Sequence, residues 1–154
     1  MKQLILVFMF LAVISLTARD AAAQASIGAN VGYNLDAEEF FAGGQARFGL
    51  GAFPVIINPS IETYFIDNLT WLQIDLNALY PFGVNNTAFT PYAGAGIGIN
   101  YFKPENLDSS TDAGLNLIAG AVFGFNRLRP FAEARINFDG DTNVGIRGGV
   151  LFGL

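Results

Sequence analysis

The sequence of 154 residues contains no cysteine and no histidine, and only 14% of its residues are charged. Without cysteine there is no disulfide framework, no thiolate metal site and no cysteine nucleophile. Without histidine, the usual general base and the usual zinc and iron ligand are also missing. We therefore predict a protein that is not an enzyme, with no catalytic residues, no cofactor and no metal site.

Basic residues are scarce as well. Eight Lys and Arg stand against 13 Asp and Glu, which gives a net charge of −5. A nucleic-acid-binding domain would carry a basic patch, so no nucleic-acid partner is predicted. Disordered chains are poor in aromatic residues, whereas this chain has 15 Phe and is 52% hydrophobic. The composition indicates one folded domain that is unusually poor in charge.

The first 25 residues have the parts of an export signal. A positively charged start precedes an apolar run over residues 4–16, and an alanine-rich segment follows. Two overlapping small-x-small triplets make cleavage after Ala23 or after Ala25 equally compatible with the sequence. The apolar run is shorter than the roughly 20 residues that a membrane-spanning helix needs. The sequence predicts a signal peptide over 1–25 and a single domain over 26–154.

Beyond residue 25, apolar and polar residues alternate in eight segments. Ile27 and Val31, for example, lie at odd positions, and Gly28 and Asn30 at even ones. Because successive strand residues point to opposite faces, each segment has one apolar face and one small or polar face. Eight such segments predict an all-β, eight-stranded antiparallel up-and-down barrel. The predicted strands are 26–35, 42–52, 55–65, 71–80, 91–101, 114–124, 130–138 and 144–154, with a bulge or local defect at Pro59.

The apolar face could point inward around a ligand, as in a soluble barrel, or outward against lipid. An eight-stranded interior is just wide enough for side chains to fill, and it suits the glycines and small polar residues better than the bulky set. Aromatic residues also fall near the segment ends, as the girdles of a membrane barrel do. We therefore predict a transmembrane barrel. The girdle residues are Tyr33, Phe65, Tyr80, Tyr101, Phe123, Phe138 and Phe152.

The connections after odd-numbered strands are predicted to face outward and to be acidic. They span 36–41, 66–70, 102–113 and 139–143, and Arg127 and Arg129 lie at the other end of the barrel. The acidic rim solvates short loops, binds divalent cations that bridge to anionic headgroups or sugars, or reflects a saline habitat. It consists of Asp36, Glu38, Glu39, Asp67, Glu105, Asp108, Asp112, Asp139 and Asp141, against Lys103 alone.

Six charged residues are predicted on the lumen face. Turns near residues 68 and 141 would place Glu62 about opposite Asp75, and Arg135 about opposite Arg147. Because unpaired buried charges are costly, we expect these two arginines to reach across the lumen to the two carboxylates. The cluster is then either a structural plug or a salt-bridge gate for small solutes. Its members are Arg47, Glu62, Asp75, Glu133, Arg135 and Arg147.

Three stretches carry a resemblance to a known family: NPSIETYF, LNALYPFGVNNTAFTPYAGAGIGINYF and the closing strand. Residues 26–154 resemble the small eight-stranded outer-membrane barrels, the OmpA/OmpX-like and opacity-protein-like group. The end of the chain is similar to the C-terminal insertion signal of such barrels, except that the family prefers a terminal Phe. The matching positions are Arg147, Gly149, Phe152 and Leu154.

The resemblance implies an integral protein of the outer membrane of a Gram-negative-type bacterium. Its partners would be outer-membrane lipids and, during insertion, the barrel-assembly machinery, and it would be a monomer. The function predicted first is a structural role or a narrow or plugged pore. The alternative is a surface interaction protein, adhesin-like or binding lipid or cations, that acts through the short acidic outer loops.

Overall fold

The computed structural model describes residues 25–84, 88–124 and 126–154. The predicted signal peptide lies outside these residues except for residue 25, and its cleavage stays a prediction. Within the described ranges, no helix is long and apolar enough to cross a membrane. The strands are β1 Ala25–Asn34, β2 Glu39–Gly49, β3 Ile56–Ile66, β4 Leu69–Pro81, β5 Phe89–Pro104, β6 Ser110–Phe123, β7 Leu128–Phe138 and β8 Thr142–Gly153.

The eight strands form one closed barrel in sequence order. Each strand pairs antiparallel with the next, and β8 pairs with β1 from Ser26↔Gly153 to Asn34↔Gly145. Closure leaves no unpaired sheet edge, so the backbone donors and acceptors of the strands find partners within the sheet. The predicted fold class, an all-β barrel of eight antiparallel strands, is confirmed.

The strands extend further towards one end of the barrel than predicted. β2 begins at Glu39 instead of residue 42, and β6 begins at Ser110 instead of residue 114. The predicted outer loops were therefore too long: the connections are 35–38, 67–68, 105–109 and 139–141. Conversely, β2 ends at Gly49 and not at residue 52, since Gly51 adopts a positive φ of 63° that breaks the extended conformation.

The barrel is polar inside and apolar outside. Ile97, Leu117 and Ile146 are each at least 50% exposed on the outer wall, whereas Asn58 and Asn116 are fully buried in the lumen. A water-soluble domain has the opposite distribution. Exposed aromatic residues lie near both ends of the outer wall. At one end, Tyr33 packs edge-on against Phe40, with the ring centroids 4.8 Å apart. The predicted orientation of the two faces is thus the one that the structure has.

Large apolar side chains in the lumen lie over glycines of the neighbouring strand. Tyr92 pairs with Gly120, and a Cβ added at Gly120 would lie 2.7 Å from the tyrosine Oη. Phe131 pairs in the same way with Gly149, where an added Cβ would lie 2.8 Å from the phenylalanine ring. The missing side chains leave room in a narrow lumen for one large residue per pair. Three further pairs follow this rule: Gly32↔Phe41, Leu79↔Gly94 and Gly28↔Leu151.

Pro59 produces a local defect in the ladder, but it produces no bulge. The register between β2 and β3 is the same on both sides of it, from Gln45↔Ser60 to Phe48↔Ile57. Proline has no N–H to donate, and the Asn58 side-chain amide donates instead to the carbonyl oxygen of Ala46 at 2.8 Å. This side-chain bond replaces the missing ladder bond, so no extra residue is needed.

Candidate functional site

All six charged residues predicted in the lumen are buried there, each at most 4% exposed. Five ion pairs connect them into one chain in which positive and negative groups alternate. Each of the two glutamates lies between two arginines, so every buried charge has a partner of opposite sign. The order of the residues along this series of ion pairs is Arg47, Glu133, Arg147, Glu62, Arg135 and Asp75.

Arg147 forms the centre of this chain. Its Nε donates to Glu133 Oε1 at 2.6 Å, and its Nη2 lies 2.5 Å from the same oxygen as an ion-pair contact. Its Nη1 donates to Glu62 on the facing wall of the lumen. Arg147 and Glu133 are paired residues of β8 and β7, so their contact runs along the wall, while the contact with Glu62 spans the lumen. One guanidinium therefore ties three strands together.

Arg135 makes the second contact across the lumen. Its Nη2 lies 2.7 Å from Glu62 Oε2, and its Nη1 lies 2.6 Å from Asp75 Oδ2. Amide side chains complete the site, because Gln73 and Asn116 donate to Asp75 Oδ1 at 3.0 and 2.9 Å. Charge-assisted hydrogen bonds of this kind are about twice as strong as neutral ones. The buried carboxylate is thus surrounded by donors.

The structure corrects two predicted cross-strand pairings. Glu62 pairs with Gln73 and not with Asp75, which is opposite Ser60. Arg147 pairs with Glu133 and not with Arg135, which is opposite Gly145. Each hairpin turn is centred one residue earlier than predicted, which shifts the pairing by two residues. Across the lumen, Arg147 contacts Glu62, and Arg135 contacts both Glu62 and Asp75.

An aromatic cluster, which the sequence reasoning missed, lies above the charges at the end of the barrel that carries the acidic residues, the acidic mouth. Tyr64 and Trp71 stack with ring centroids 3.7 Å apart, and Phe41 packs against Tyr64 at 5.0 Å. The Trp71 indole N–H donates to Asn100 at 3.0 Å, and Asn100 donates to Asp139 at 2.7 Å. The space left between this cluster and Arg135 is a cavity of only about 10 Å³. The lumen is therefore filled at this end.

The opposite end, the basic mouth, carries Arg127 and Arg129 and is open. An open cavity of about 470 Å³ lies there, lined also by Arg47 and Tyr92 from inside the barrel. The Tyr92 hydroxyl donates to Glu133 at 2.7 Å, and Arg47 donates to that hydroxyl at 2.9 Å. The charged chain thus ends in a residue that borders this cavity.

The other predicted site residues lie along β8 and beyond it. Gly149 faces the lumen beneath Phe131, Phe152 is 49% exposed on the outer wall, and Leu154 is exposed beyond the strand. Their role as an insertion signal stays a prediction. In the part of the chain that the structure describes, no three acidic side chains are grouped as metal ligands.

Comparisons by sequence find nothing: neither a protein-family model nor a curated protein matches the chain. Comparisons by structure find several barrels. The N-terminal β-barrel domain of Pseudomonas aeruginosa OprF superimposes with a TM-score of 0.71 at 20% identity, over 83% of this chain and 95% of that one. Neisserial surface protein A (NspA) gives a TM-score of 0.71 at 16% identity, over 84% of this chain and 97% of that one.

The chain has the fold of the small eight-stranded outer-membrane barrels. The outer-membrane enzyme PagL has the same architecture, with a TM-score of 0.50 at 14% identity over 82% of this chain and 97% of that one. Because the fold is shared by an enzyme, the architecture alone does not separate catalytic from non-catalytic barrels. The distinction has to come from the side chains that the barrel carries.

Proposed function

We propose that this chain is an integral outer-membrane barrel of a Gram-negative-type bacterium with a structural role and a closed lumen. The observation that carries this proposal is the continuous filling of the lumen by six paired charges and the aromatic cluster above them. A solute would have to break several buried ion pairs in order to pass. Removing one partner of such a pair costs roughly 3–5 kcal/mol.

The outer wall supports the membrane location and a lipid partner. Its exposed residues at mid-strand are aliphatic, such as Ile74, Ile97 and Leu115, and aromatic residues lie near both ends. This is the surface that lipid chains and headgroup regions favour. We further propose that the chain inserts through the barrel-assembly machinery by its C-terminal signal and works as a monomer.

The absence of a catalytic role is part of the same proposal. The sequence has no histidine that could activate a serine. Ser60, which is buried, contacts Asp75, but that carboxylate is already held by Arg135. Ser26 is buried as well, while Ser109 and Ser110 are exposed at the acidic mouth. The carboxylates of the lumen neutralise arginines and are therefore poor candidates for a general base.

The outer connections favour the structural role over surface binding. They range from two residues, 67–68, to five residues, 105–109. Such short turns offer little surface to a protein partner. We therefore place the adhesin-like interpretation second.

Planar-bilayer recordings of the purified barrel test the closed lumen. We expect no discrete channels from the wild type, and brief small channels when Glu62→Ala is combined with Arg135→Ala, which removes two large side chains from the centre of the lumen at constant net charge. Lys103→Ala with Asp112→Ala removes the same charges outside the lumen and is the matched control, for which we expect silence. Discrete wild-type channels from protein with heat-modifiable gel migration would overturn the closed lumen.

Cell fractionation tests the membrane location separately. The chain should sediment with outer membranes and should need detergent once extracted. A form without residues 1–25 that stays folded and monomeric in buffer without detergent would contradict the proposal.

A further inference from the structure

The basic mouth combines an open cavity with three arginines. The cavity measures about 470 Å³, and its lining includes Arg47, Arg127 and Arg129. None of the described residues that line it has a carboxylate side chain. Hydroxyl and amide groups that can donate hydrogen bonds, those of Thr90 and Asn126 among them, also border the space. The cavity is therefore large, polar in part and positive.

Arg47 is the least neutralised arginine of the buried chain. Arg135 and Arg147 each contact two carboxylates, whereas Arg47 contacts only Glu133, at 3.4 Å. Glu133 is already shared, because Arg147 approaches it to 2.5 Å and the Tyr92 hydroxyl to 2.7 Å. The Arg47 side chain is only 5% exposed, so water does little to screen its charge. Its guanidinium thus contributes positive potential at the inner wall of the cavity.

The rest of the charge distribution does little to cancel that potential. Among the described residues, the nine acidic ones outside the lumen all lie at or near the acidic mouth, at the far end of the barrel. Arg127 and Arg129 have no ion pair among the described residues. An anion at the basic mouth would therefore meet three guanidinium groups, with Glu133 and the terminal carboxylate of Leu154, which also lines the cavity, as competitors.

We infer that the basic mouth is a binding site for a phosphate group. Guanidinium groups bind phosphate oxygens in a bidentate manner, and a phosphate monoester offers three acceptor oxygens and about two negative charges to three arginines. Arg47 would contact the group from inside the barrel, and Arg127 and Arg129 from the rim. The site does not depend on whether the lumen is closed, so it can fail or hold independently of the proposed function.

The phosphate could belong to a soluble ester or to a phospholipid headgroup of the adjacent leaflet. Both sources present the same chemistry to the arginines. They differ in access, because a soluble ester enters the cavity from water, whereas a headgroup enters over the rim from the outer wall. Two arms of one experiment distinguish them.

The experiment uses ¹⁵N-labelled barrel refolded in a detergent micelle that contains no phosphate. In one arm glycerol phosphate is titrated, and in the other short-chain phosphatidic acid is added to the micelle. We expect shifts of resonances at the basic mouth in at least one arm, with affinity weakened at least tenfold in the Arg127→Gln, Arg129→Gln variant. Both positions lie outside the buried chain, so this variant should fold. Lys103→Gln, which removes a positive charge at the acidic mouth, is the control and should change the affinity less than twofold.

The outcome assigns the source or overturns the site. Binding of glycerol phosphate identifies a soluble ester, and binding of phosphatidic acid alone identifies a lipid headgroup. If neither compound shifts resonances at the basic mouth, or if Lys103→Gln weakens binding as much as the double variant does, no phosphate site exists there.

Discussion

The two mouths of the barrel differ in both charge and closure. At the acidic mouth, short turns carry carboxylates, and the stacked rings of Tyr64 and Trp71 leave a cavity of about 10 Å³ beneath them. At the basic mouth, arginines surround an open cavity of about 470 Å³. The barrel is thus open at the basic mouth and filled at the acidic mouth, and the linked ion pairs lie between the two. Large buried side chains occur at both levels, so the difference lies in their packing: Tyr64 and Trp71 stack across the acidic mouth, whereas Tyr92 borders an open cavity at the basic mouth.

The largest effect should come from removing the charge of Glu62, which links Arg147 to Arg135 in the series of ion pairs. Glu62 is bound by Arg135 and by Arg147, so Glu62→Gln leaves two buried arginines short of a partner. We expect a loss of about 3–5 kcal/mol in the free energy of unfolding. Urea titration of the barrel in lipid vesicles measures it.

A double-mutant cycle checks that this loss comes from the ion pairs. Glu62→Gln combined with Arg147→Gln should cost less than the two single changes added together, by about 0.5–3 kcal/mol. Strict additivity would mean that the two side chains do not interact, and that packing alone stabilises the centre of the lumen.

The second largest effect should come from an arginine placed on the outer wall, compared with an arginine placed at the open mouth on the same strand. Ile97 and Thr90 both belong to β5, but Ile97 is 54% exposed on the outer wall, whereas Thr90 borders the cavity of the basic mouth. Ile97→Arg should cost about 2–4 kcal/mol, since it places a charge at mid-membrane. Thr90→Arg should stay within about 0.5 kcal/mol. The same urea titration compares them, and the reverse order would mean that the barrel does not face lipid.

The smallest effect concerns the seal at the acidic mouth. Trp71 is the single tryptophan of the chain, and it is only 7% exposed beneath the outer turns. Tyr64→Leu removes the stacked ring, at a cost of about 0.5–1.5 kcal/mol for the aromatic pair. We expect wild-type fluorescence to resist quenching by iodide, and the variant to be quenched more strongly. Tyr80→Leu, on the outer wall, is the control that should leave quenching unchanged.

The strand count and the orientation of each face could be predicted from the sequence, because alternation has a period of two and reports directly which residues share a face. The pairing of residues on neighbouring strands could not be predicted in this way. The turn between β3 and β4 consists of Asp67 and Asn68 alone, with Asn68 at a positive φ of 60°. A turn centre misplaced by one residue moves every cross-strand partner by two, which is why Glu62 was matched with Asp75 and not with Gln73.

The membership of the charged cluster also followed from alternation, but its connections did not. All six residues face the lumen, yet which arginine meets which carboxylate depends on register and on side-chain reach across the barrel. The lumen face also carries large side chains among its small and polar residues: Phe41 of the aromatic cluster, and Tyr92 and Phe131 nearer the basic mouth. Each of them pairs with a glycine, which becomes visible only once the register is known.

The repair at Pro59 has a consequence for how this sequence can vary. The proline removes one backbone donor, and the Asn58 amide satisfies the carbonyl of Ala46 in its place. A change of Asn58 alone would leave that carbonyl without a hydrogen-bond donor. A change of Pro59 to an ordinary residue would restore the backbone N–H, after which Asn58 could be replaced without this loss. The two neighbours should therefore evolve in a fixed order, with the proline lost before the asparagine. Descendants that keep the proline should keep an amide side chain beside it.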